Sequence, residues 1–172
     1  VLLVRGDDAG VRMAYLDGDL ELMTPSIDHE GIKTALARLV EAYAVERGIH
    51  LDGFGSWTLR KATKKAGLEP DECYVLGPRR KPPARPDLAI EVYWTHGRMD
   101  RLDAYRRLGV PEVWIWSVDR IEVHVLETDG YRAANRSKIL PDLDLDLMLR
   151  HLDPTDQTGS VRAFLAAVRS RG

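Results

Sequence analysis

The N-terminal quarter of the chain carries two different hydrophobic periods. Over residues 11–24 apolar and polar residues alternate around Asp17-Gly18, which predicts a β-hairpin with a tight turn. From there to Gly48 the apolar residues recur at helical spacing, and Ser26 stands where a helix N-cap is expected. The apolar stripe of this predicted helix comprises Ile32, Ala35, Leu36, Leu39, Val40 and Tyr43.

The remainder of the chain alternates between short strand patterns and helix patterns. Strands are predicted over 51–60, 71–76, 87–94, 113–118 and 121–126, and the leucine–aspartate alternation over 143–149 also has the period of a strand. Helices are predicted over 99–109 and around 161–168. Residues 61–67 have the pattern of a solvated turn, and the proline-rich stretch 77–83 is a stiff basic loop that cannot be helical.

This order of elements predicts one mixed α/β domain built on one sheet. Its parts are the N-terminal hairpin (11–24), a core of about 26–126 and a C-terminal extension (127–172). A length of 172 residues suffices for one domain with a real hydrophobic core.

Composition narrows the function classes only slightly. Twenty-five basic and 27 acidic residues give a net charge of −2, so any attraction to nucleic acid has to come from local patches. No apolar run approaches the roughly 20 residues that span a bilayer. Residues 1–6 are too short for the apolar region of a signal peptide, and the absence of an initial methionine is what a piece of a longer chain would show. The single cysteine, Cys73, excludes an internal disulfide and is consistent with a cytoplasmic protein.

The candidate chemistry lies on the two central strands. Pro70-Asp71 begins one strand, Pro86-Asp87 begins the next, and the second strand also carries Glu91. If the two strands pair antiparallel across the basic loop, Asp71 lies beside Glu91. Asp87 shares a face with Glu91, but their Cα atoms are about 13 Å apart at roughly 3.3 Å per residue. One Mg²⁺ holds its ligands at about 2.1 Å, so Asp71 with Glu91 is the favoured metal pair and Asp87 a nearby third carboxylate or a strand-start residue.

Alternatives to a metal site remain open at each of these positions. Pro-Asp is common at turns, so Asp71 and Asp87 could serve as caps. Glu91 lies between Ile90 and Val92, which face the opposite side of the strand, and an acidic residue inside a core strand is costly unless it is paired or coordinated. An edge-strand or salt-bridged glutamate would also satisfy that condition.

Four blocks of sequence together resemble the Uma-two family of restriction-endonuclease-like nucleases. They are LDGDLELMTPS (16–26) followed by His29-Glu30, EPDECYV (69–75), RPDLAIEV (85–92) and LDAYRRLGVPEVW (102–114), and the resemblance extends over about residues 11 to 150. It implies the restriction-endonuclease-like PD-(D/E)xK fold, in which helices flank a mixed sheet. It also implies divalent metal, Mg²⁺ or Mn²⁺, and cleavage of phosphodiester bonds.

The resemblance assigns site residues and exposes one departure. It places the metal-binding carboxylates on Asp71 or Asp87 and on Glu91. The lysine of the pattern is missing two residues after Glu91; in the family it occupies the position that is Arg101 here. A lysine can deprotonate the attacking water, whereas an arginine stays protonated and can only stabilise developing charge.

A helix residue is the remaining site candidate from the resemblance. His29 matches a position that the family fills with histidine, where it could donate to phosphate or hold a metal-bound water. Glu30 is the alternative at this place, and either residue could instead be a surface or capping group.

The function expected from the sequence is therefore that of a metal-dependent endonuclease with catalytic residues Asp71, Asp87, Glu91, Arg101 and His29. Its expected substrate is nucleic acid, DNA in the first place, and exposed aromatic residues leave room for a homodimer.

Phosphate contacts are expected from the basic runs, unless these are merely solvated loops: Arg60, Lys61, Lys64, Lys65, Arg79, Arg80 and Lys81. The four tryptophans, Trp57 included, are expected in the core or an interface rather than under nucleic-acid bases.

The rival function is an inactive nuclease-fold binding or assembly module, favoured by Arg101 in place of lysine. A different metal-dependent hydrolase is the third alternative.

Overall fold

The fold is mixed α/β, with ten strands and four α-helices in the part of the computed structural model described here, residues 12–79, 81–93, 100–118 and 120–171. The strands are β1 (Arg12–Leu16), β2 (Asp19–Met23), β3 (Leu51–Gly53), β4 (Leu59–Lys61), β5 (Ala66–Leu68), β6 (Glu72–Leu76), β7 (Leu88–Val92), β8 (Glu112–Ser117), β9 (Arg120–Glu127) and β10 (Gly130–Ala134). The helices are α1 (Ile27–Glu46), α2 (Arg101–Leu108), α3 (Leu145–Arg150) and α4 (Gln157–Arg169), with a short 3₁₀ helix at Ala62–Lys64.

The predicted hairpin is confirmed and belongs to a small sheet of its own. Strands β1 and β2 are joined by Asp17 and Gly18, whose φ angles of 52° and 112° are those of a two-residue hairpin turn that favours Asp-Gly. The order of this sheet is β2-β1-β5-β4. Residue 11, where the prediction began, lies outside the described residues.

The main sheet has six strands in the order β10-β9-β8-β7-β6-β3. Strands β7 and β8 are parallel and are connected through α2, while the other neighbours in this sheet pair antiparallel. The prediction of a single sheet was therefore wrong. Its cause is β5, which overlaps the end of the stretch 61–67 predicted as a solvated turn. Ala66 and Leu68 are buried and pair with β1, which builds a second sheet.

The main sheet is covered on both faces, as the alternation in β7 requires. Leu88, Ile90 and Val92 point to one face and pack with the apolar stripe of α1 and with Phe164 of α4. On the other face Ala89 packs with residues of α2 and of the small sheet. Glu91, two residues after Ala89, lies on this second face, so the acidic side chain is enclosed between the sheet, α2 and the hairpin.

Helix boundaries follow local capping. Ser26 accepts a hydrogen bond from the backbone N–H of His29 and caps α1, as predicted. Asp100 caps α2, which ends at Gly109 with φ 77°. Met99, included in the predicted helix, lies outside the described residues. The predicted C-terminal helix is confirmed as α4. No helix among the described residues is both long enough and apolar enough to cross a bilayer.

Two further predictions of strands were wrong. The stretch 51–60 is not one strand, because β3 pairs with β6 in the main sheet while β4 pairs with β5 in the small one. The leucine–aspartate alternation over 143–149 is helical: Asp144 accepts from the N–H of Leu147 and begins α3, which buries Leu147 and Met148. An aspartate that caps a helix gains a hydrogen bond, and the alternation of leucine and aspartate gives no sign of that bond. The sequence interpretation also omitted β10.

Candidate active site

The antiparallel pairing of β6 and β7 brings Asp71 and Glu91 together. The register pairs Glu72 with Ile90, so the preceding Asp71 stands opposite Glu91. The side chain of Asp71 accepts a hydrogen bond of 2.7 Å from the backbone N–H of Val92, the residue after Glu91. Both carboxylates are buried, at 0% and 1% exposure, so each needs a compensating partner.

Helix α2 provides the partners of Glu91. The Nη1 of Arg101 donates to Glu91 Oε2 at 2.8 Å, and the hydroxyl of Tyr105, one turn further on, donates to Oε1 at 2.5 Å. Burial and the neighbouring carboxylate raise the pKa of Tyr105 well above its ordinary value, which keeps the hydroxyl a donor. Burial opposes the charge of Arg101, but Glu91, Tyr105 and Tyr93 together outweigh it and raise the pKa of the guanidinium. On its other side Arg101 Nε lies 3.5 Å from Glu21 of β2.

The hairpin and α1 provide the partners of Asp71. Arg12 of β1 forms an ion pair with Asp71 Oδ1 and donates to Glu30 at 2.8 Å. His29 Nε2 lies 3.1 Å from Asp71 Oδ2, and since a carboxylate only accepts, this nitrogen carries the proton. Burial, followed by the charge of Arg12, lowers the pKa of His29, so the ring is neutral at pH 7.

Comparison with known proteins agrees with this architecture. The Uma2 family model, described as putative restriction endonuclease, matches residues 2–152. The chain belongs to the Uma-two family. Among solved structures it is similar to the crystal structure of a putative nuclease belonging to DUF820 from Anabaena variabilis, with a TM-score of 0.51 and 13% identity over 87% of this chain and 90% of that chain. That likeness shows the fold, and it confirms the predicted restriction-endonuclease-like class. No curated protein matches the sequence.

In this Uma-two protein, two predicted site residues besides the carboxylates lie at the site. Arg101, the residue at the family's lysine position, reaches Glu91, and His29 contacts Asp71. Glu30, the alternative to His29, is also close: it lies 3.5 Å from His29 Nδ1 and is held by Arg12 and Lys33.

Asp87 is not brought to the carboxylate pair. It lies just before β7, at the opposite end of the strand from Glu91. Its carboxylate accepts from the backbone N–H of Leu76 at 2.9 Å and has Arg79 at 3.7 Å. Of the two roles predicted for Asp87, its position matches the strand-start residue and not the third carboxylate of the site.

Two residues of the site were missed by the sequence interpretation. Arg12 falls on a polar position of the alternation predicted over 11–24. Arg12, Met13 and Ala14 are nevertheless all buried, so both faces of β1 are covered. Alternation of apolar and polar residues therefore does not indicate that Arg12 is buried. Tyr105 lies in the helix predicted over 99–109 but was given no role in the site. A tyrosine four residues after a basic residue shares its helix face, and this spacing was the available signal.

The residues present suit Mg²⁺ in chemistry and in number. Mg²⁺ is commonly held by one or two carboxylates, with waters and substrate phosphate as the other ligands. Asp71 and Glu91 meet that requirement, and no group of three or more histidine, cysteine or acidic side chains able to hold an ion occurs in the described part of the chain. Both carboxylates are engaged by arginines, so an ion would compete with Arg12 and Arg101 for the same oxygens.

The tryptophans that the structure describes lie mainly in the core. Trp114 is fully buried and donates from Nε1 to Glu112 at 2.6 Å, and Trp116 is 4% exposed. Trp57 is only partly buried and packs against Phe54, with ring centroids 5.6 Å apart. Trp94 and Arg80 lie outside the described residues.

Proposed function

We propose that this protein is a nuclease that cleaves phosphodiester bonds of nucleic acid, with Asp71 and Glu91 as its reaction centre and Mg²⁺ or Mn²⁺ as its cofactor. The observation that carries the proposal is the pairing of two buried carboxylates across β6 and β7, in a member of a family described as restriction endonucleases. Titratable groups with shifted pKa values cluster at functional sites, and the pKa values of His29, Arg101 and Tyr105 around this pair are shifted.

The roles of the side chains follow from their chemistry. Asp71 and Glu91 would hold the divalent ion, which would lower the pKa of a bound water and neutralise phosphate charge. Arg101 stays protonated, so it serves to stabilise negative charge on the scissile phosphate and not to remove a proton. Asp71 orients His29 through Nε2, and the neutral ring is able to accept a proton at Nδ1.

A second candidate function has a specific observation in its favour. Each carboxylate already has an arginine partner, Arg12 on Asp71 and Arg101 on Glu91. A site that is neutralised by its own side chains is stable without a metal ion, as a nuclease fold that binds nucleic acid without cleaving it would be.

Cleavage assays with purified variants distinguish the two functions. Labelled single-stranded and double-stranded DNA and RNA are incubated with Mn²⁺ or Mg²⁺, and products are resolved on denaturing gels. The nuclease proposal expects cleavage that EDTA abolishes and that Glu91→Ala and Asp71→Asn reduce by at least about 100-fold, the loss typical for a ligand or electrostatic group at a metal centre. Asp87→Asn, on the same strand but away from the pair, is expected to keep the activity.

Calorimetric titration with Mn²⁺ supplies the readout that does not depend on turnover. Binding that disappears in Glu91→Ala supports the metal pair. Cleavage unaffected by Glu91→Ala would indicate contamination or a different site. A wild-type chain that binds nucleic acid without cleaving it, and that gains cleavage in Arg101→Lys, would establish the non-catalytic function.

A further inference from the structure

A groove outside the carboxylate site runs between the small sheet and the end of α2. It has a volume of about 680 Å³. Its lining includes Trp57, Arg60 and Lys61 from the small-sheet side, Arg85 from the loop before β7, and Arg107 and Gly109 from α2 and its cap. The proposed reaction centre does not use any of these residues.

The groove is basic although the chain is not. Among the described residues, four cationic side chains and no acidic side chain line it, whereas the whole chain carries a net charge of −2. Arg107 is held by Asp17 at 2.6 Å and by Asp103 at 2.8 Å, which reduces its own contribution. Lys64 and Lys65 lie three and four residues after Lys61, so the described cations in and next to the groove outnumber these two aspartates.

The same two elements connect the groove to the carboxylates. Strand β1 begins with Arg12 at Asp71 and is followed by Asp17, which holds Arg107. Helix α2 begins with Arg101 at Glu91 and ends beside the groove. The seven-residue step from Arg101 to Leu108 is about 10 Å at 1.5 Å per residue. A ligand in the groove would therefore lie about two helical turns from the residue that contacts Glu91.

The end of α2 is the one feature that opposes an anion here. The carbonyl end of a helix is equivalent to roughly half a negative charge. Arg85 and Lys61 bring two full positive charges to the groove, which exceed this half charge even without Arg107. Electrostatics at this place therefore favour a phosphate chain.

The aromatic residue determines which nucleic acid the groove suits. Trp57 lines the groove, and its ring is supported from one side by Phe54. A ring among cations offers a stacking surface to an unpaired base, which a base-paired duplex does not present. We infer that this groove binds a single-stranded stretch of nucleic acid leading to the carboxylate pair, with phosphates on Arg60, Lys61 and Arg85 and a base on Trp57. The inference rests on the proposed nuclease function for its substrate class.

Fluorescence anisotropy in EDTA tests the groove without cleavage. The probe is a fluorescein-labelled 20-nucleotide single-stranded DNA of mixed sequence, with its duplex for comparison, between 50 and 200 mM salt. Arg60→Gln with Lys61→Gln should lower the slope of log K against log salt by about 1.4, since each lost phosphate contact on a single strand removes about 0.7. Trp57→Leu, which keeps an apolar side chain, should weaken single-strand binding about tenfold, within the range for one stacked base.

A matched control carries the same charge change elsewhere. Arg169→Gln with Arg171→Gln removes two exposed arginines at the end of α4, which packs on the face of the main sheet opposite α2 and the small sheet, and should leave the slope unchanged. Equal weakening by both double variants would overturn the inference, as would tighter binding of the duplex that Trp57→Leu does not alter. Groove-dependent binding without any metal-dependent cleavage would overturn the proposed nuclease but not the groove, and cleavage without groove-dependent binding would do the reverse.

Discussion

The buried ion pair between Glu91 and Arg101 makes the sharpest stability prediction. Their side chains are 1% and 7% exposed, with 2.8 Å between Arg101 Nη1 and Glu91 Oε2. Glu91→Gln keeps the shape of the side chain but removes its charge, which leaves a buried guanidinium without its carboxylate. The new amide also directs its N–H groups either at Arg101, which can only donate, or at the Tyr105 hydroxyl, which would have to turn to accept.

The magnitude follows from what remains around Arg101. Removal of one member of a buried ion pair costs about 3–5 kcal/mol. Glu21 stays 3.5 Å from Arg101 Nε and is itself 23% exposed, so it retains part of the stabilisation. We therefore expect a loss near the lower end, about 3 kcal/mol. For a chain of this size that is a fall in Tm of roughly 6–12 °C.

Urea unfolding followed by circular dichroism measures this loss, in EDTA so that metal does not contribute. Glu91→Gln combined with Arg101→Met should be less destabilised than the sum of the single variants, because neither charge is left buried alone. The control is Glu127→Gln, which breaks an exposed pair with Arg132 and should cost below about 1 kcal/mol. Equal costs for Glu91→Gln and Glu127→Gln, or strict additivity in the double variant, would refute the reasoning.

Three further predictions concern buried groups. Glu112 accepts four hydrogen bonds, one from Trp114 and three from 137–139. Glu112→Gln should therefore lower the free energy of unfolding by about 2 kcal/mol, measured by urea titration. A variant as stable as the wild type would contradict this. Burial raises the pKa of Cys73 to about 12, so the thiol should not react with a disulfide reagent at pH 8 until urea unfolds the chain, and rapid reaction of the folded protein would count against it. Burial lowers the pKa of His29 below its ordinary 6.5, so above that pH the ring is neutral in both states and stability is unaffected. As pH falls below 6.5, the unfolded chain takes up a proton at this histidine that the folded chain does not. The free energy of unfolding should therefore drop by at most about 1.4 kcal/mol per pH unit, and His29→Gln should lack this slope. The same slope in that variant would disprove the assignment.

The carboxylate pair was predictable because it depends on local features. Two strands that begin with Pro-Asp and are joined by a loop that cannot be helical pair antiparallel, and that pairing alone puts Asp71 opposite Glu91. These steps use periodicity and connection length, which a single sequence records. Arg101 came from the family resemblance instead, because periodicity alone does not distinguish it from a solvated arginine at the start of α2.

The hairpin's contribution to the site was not predictable by these means. Arg12 and Glu21 reach Asp71 and Arg101 from strands far away in the sequence. Alternation identifies a strand with one buried face, but Arg12 and Met13, which point to opposite faces of β1, are both buried. The error at α3 has a different cause: leucines two residues apart fit a strand, and only the cap formed by Asp144 selects the helix.

The charge balance of the site connects the two candidate functions. The ion-pair network around the carboxylates contains the acids Glu21, Glu30, Asp71 and Glu91 and the bases Arg12, Lys33 and Arg101. The network is thus nearly neutral with His29 uncharged. A divalent cation gains most where acidic groups are in excess, so each arginine in this network weakens metal binding.

The same arginines favour a phosphate group, because a guanidinium matches phosphate with two parallel hydrogen bonds. This charge balance therefore favours binding of a phosphate group over retention of a resident metal ion. A substrate phosphate that draws an arginine away from its carboxylate would leave that carboxylate open to the ion. In the nuclease function, metal and nucleic acid should accordingly bind with positive cooperativity, whereas in the non-catalytic function nucleic acid should bind equally well with and without metal.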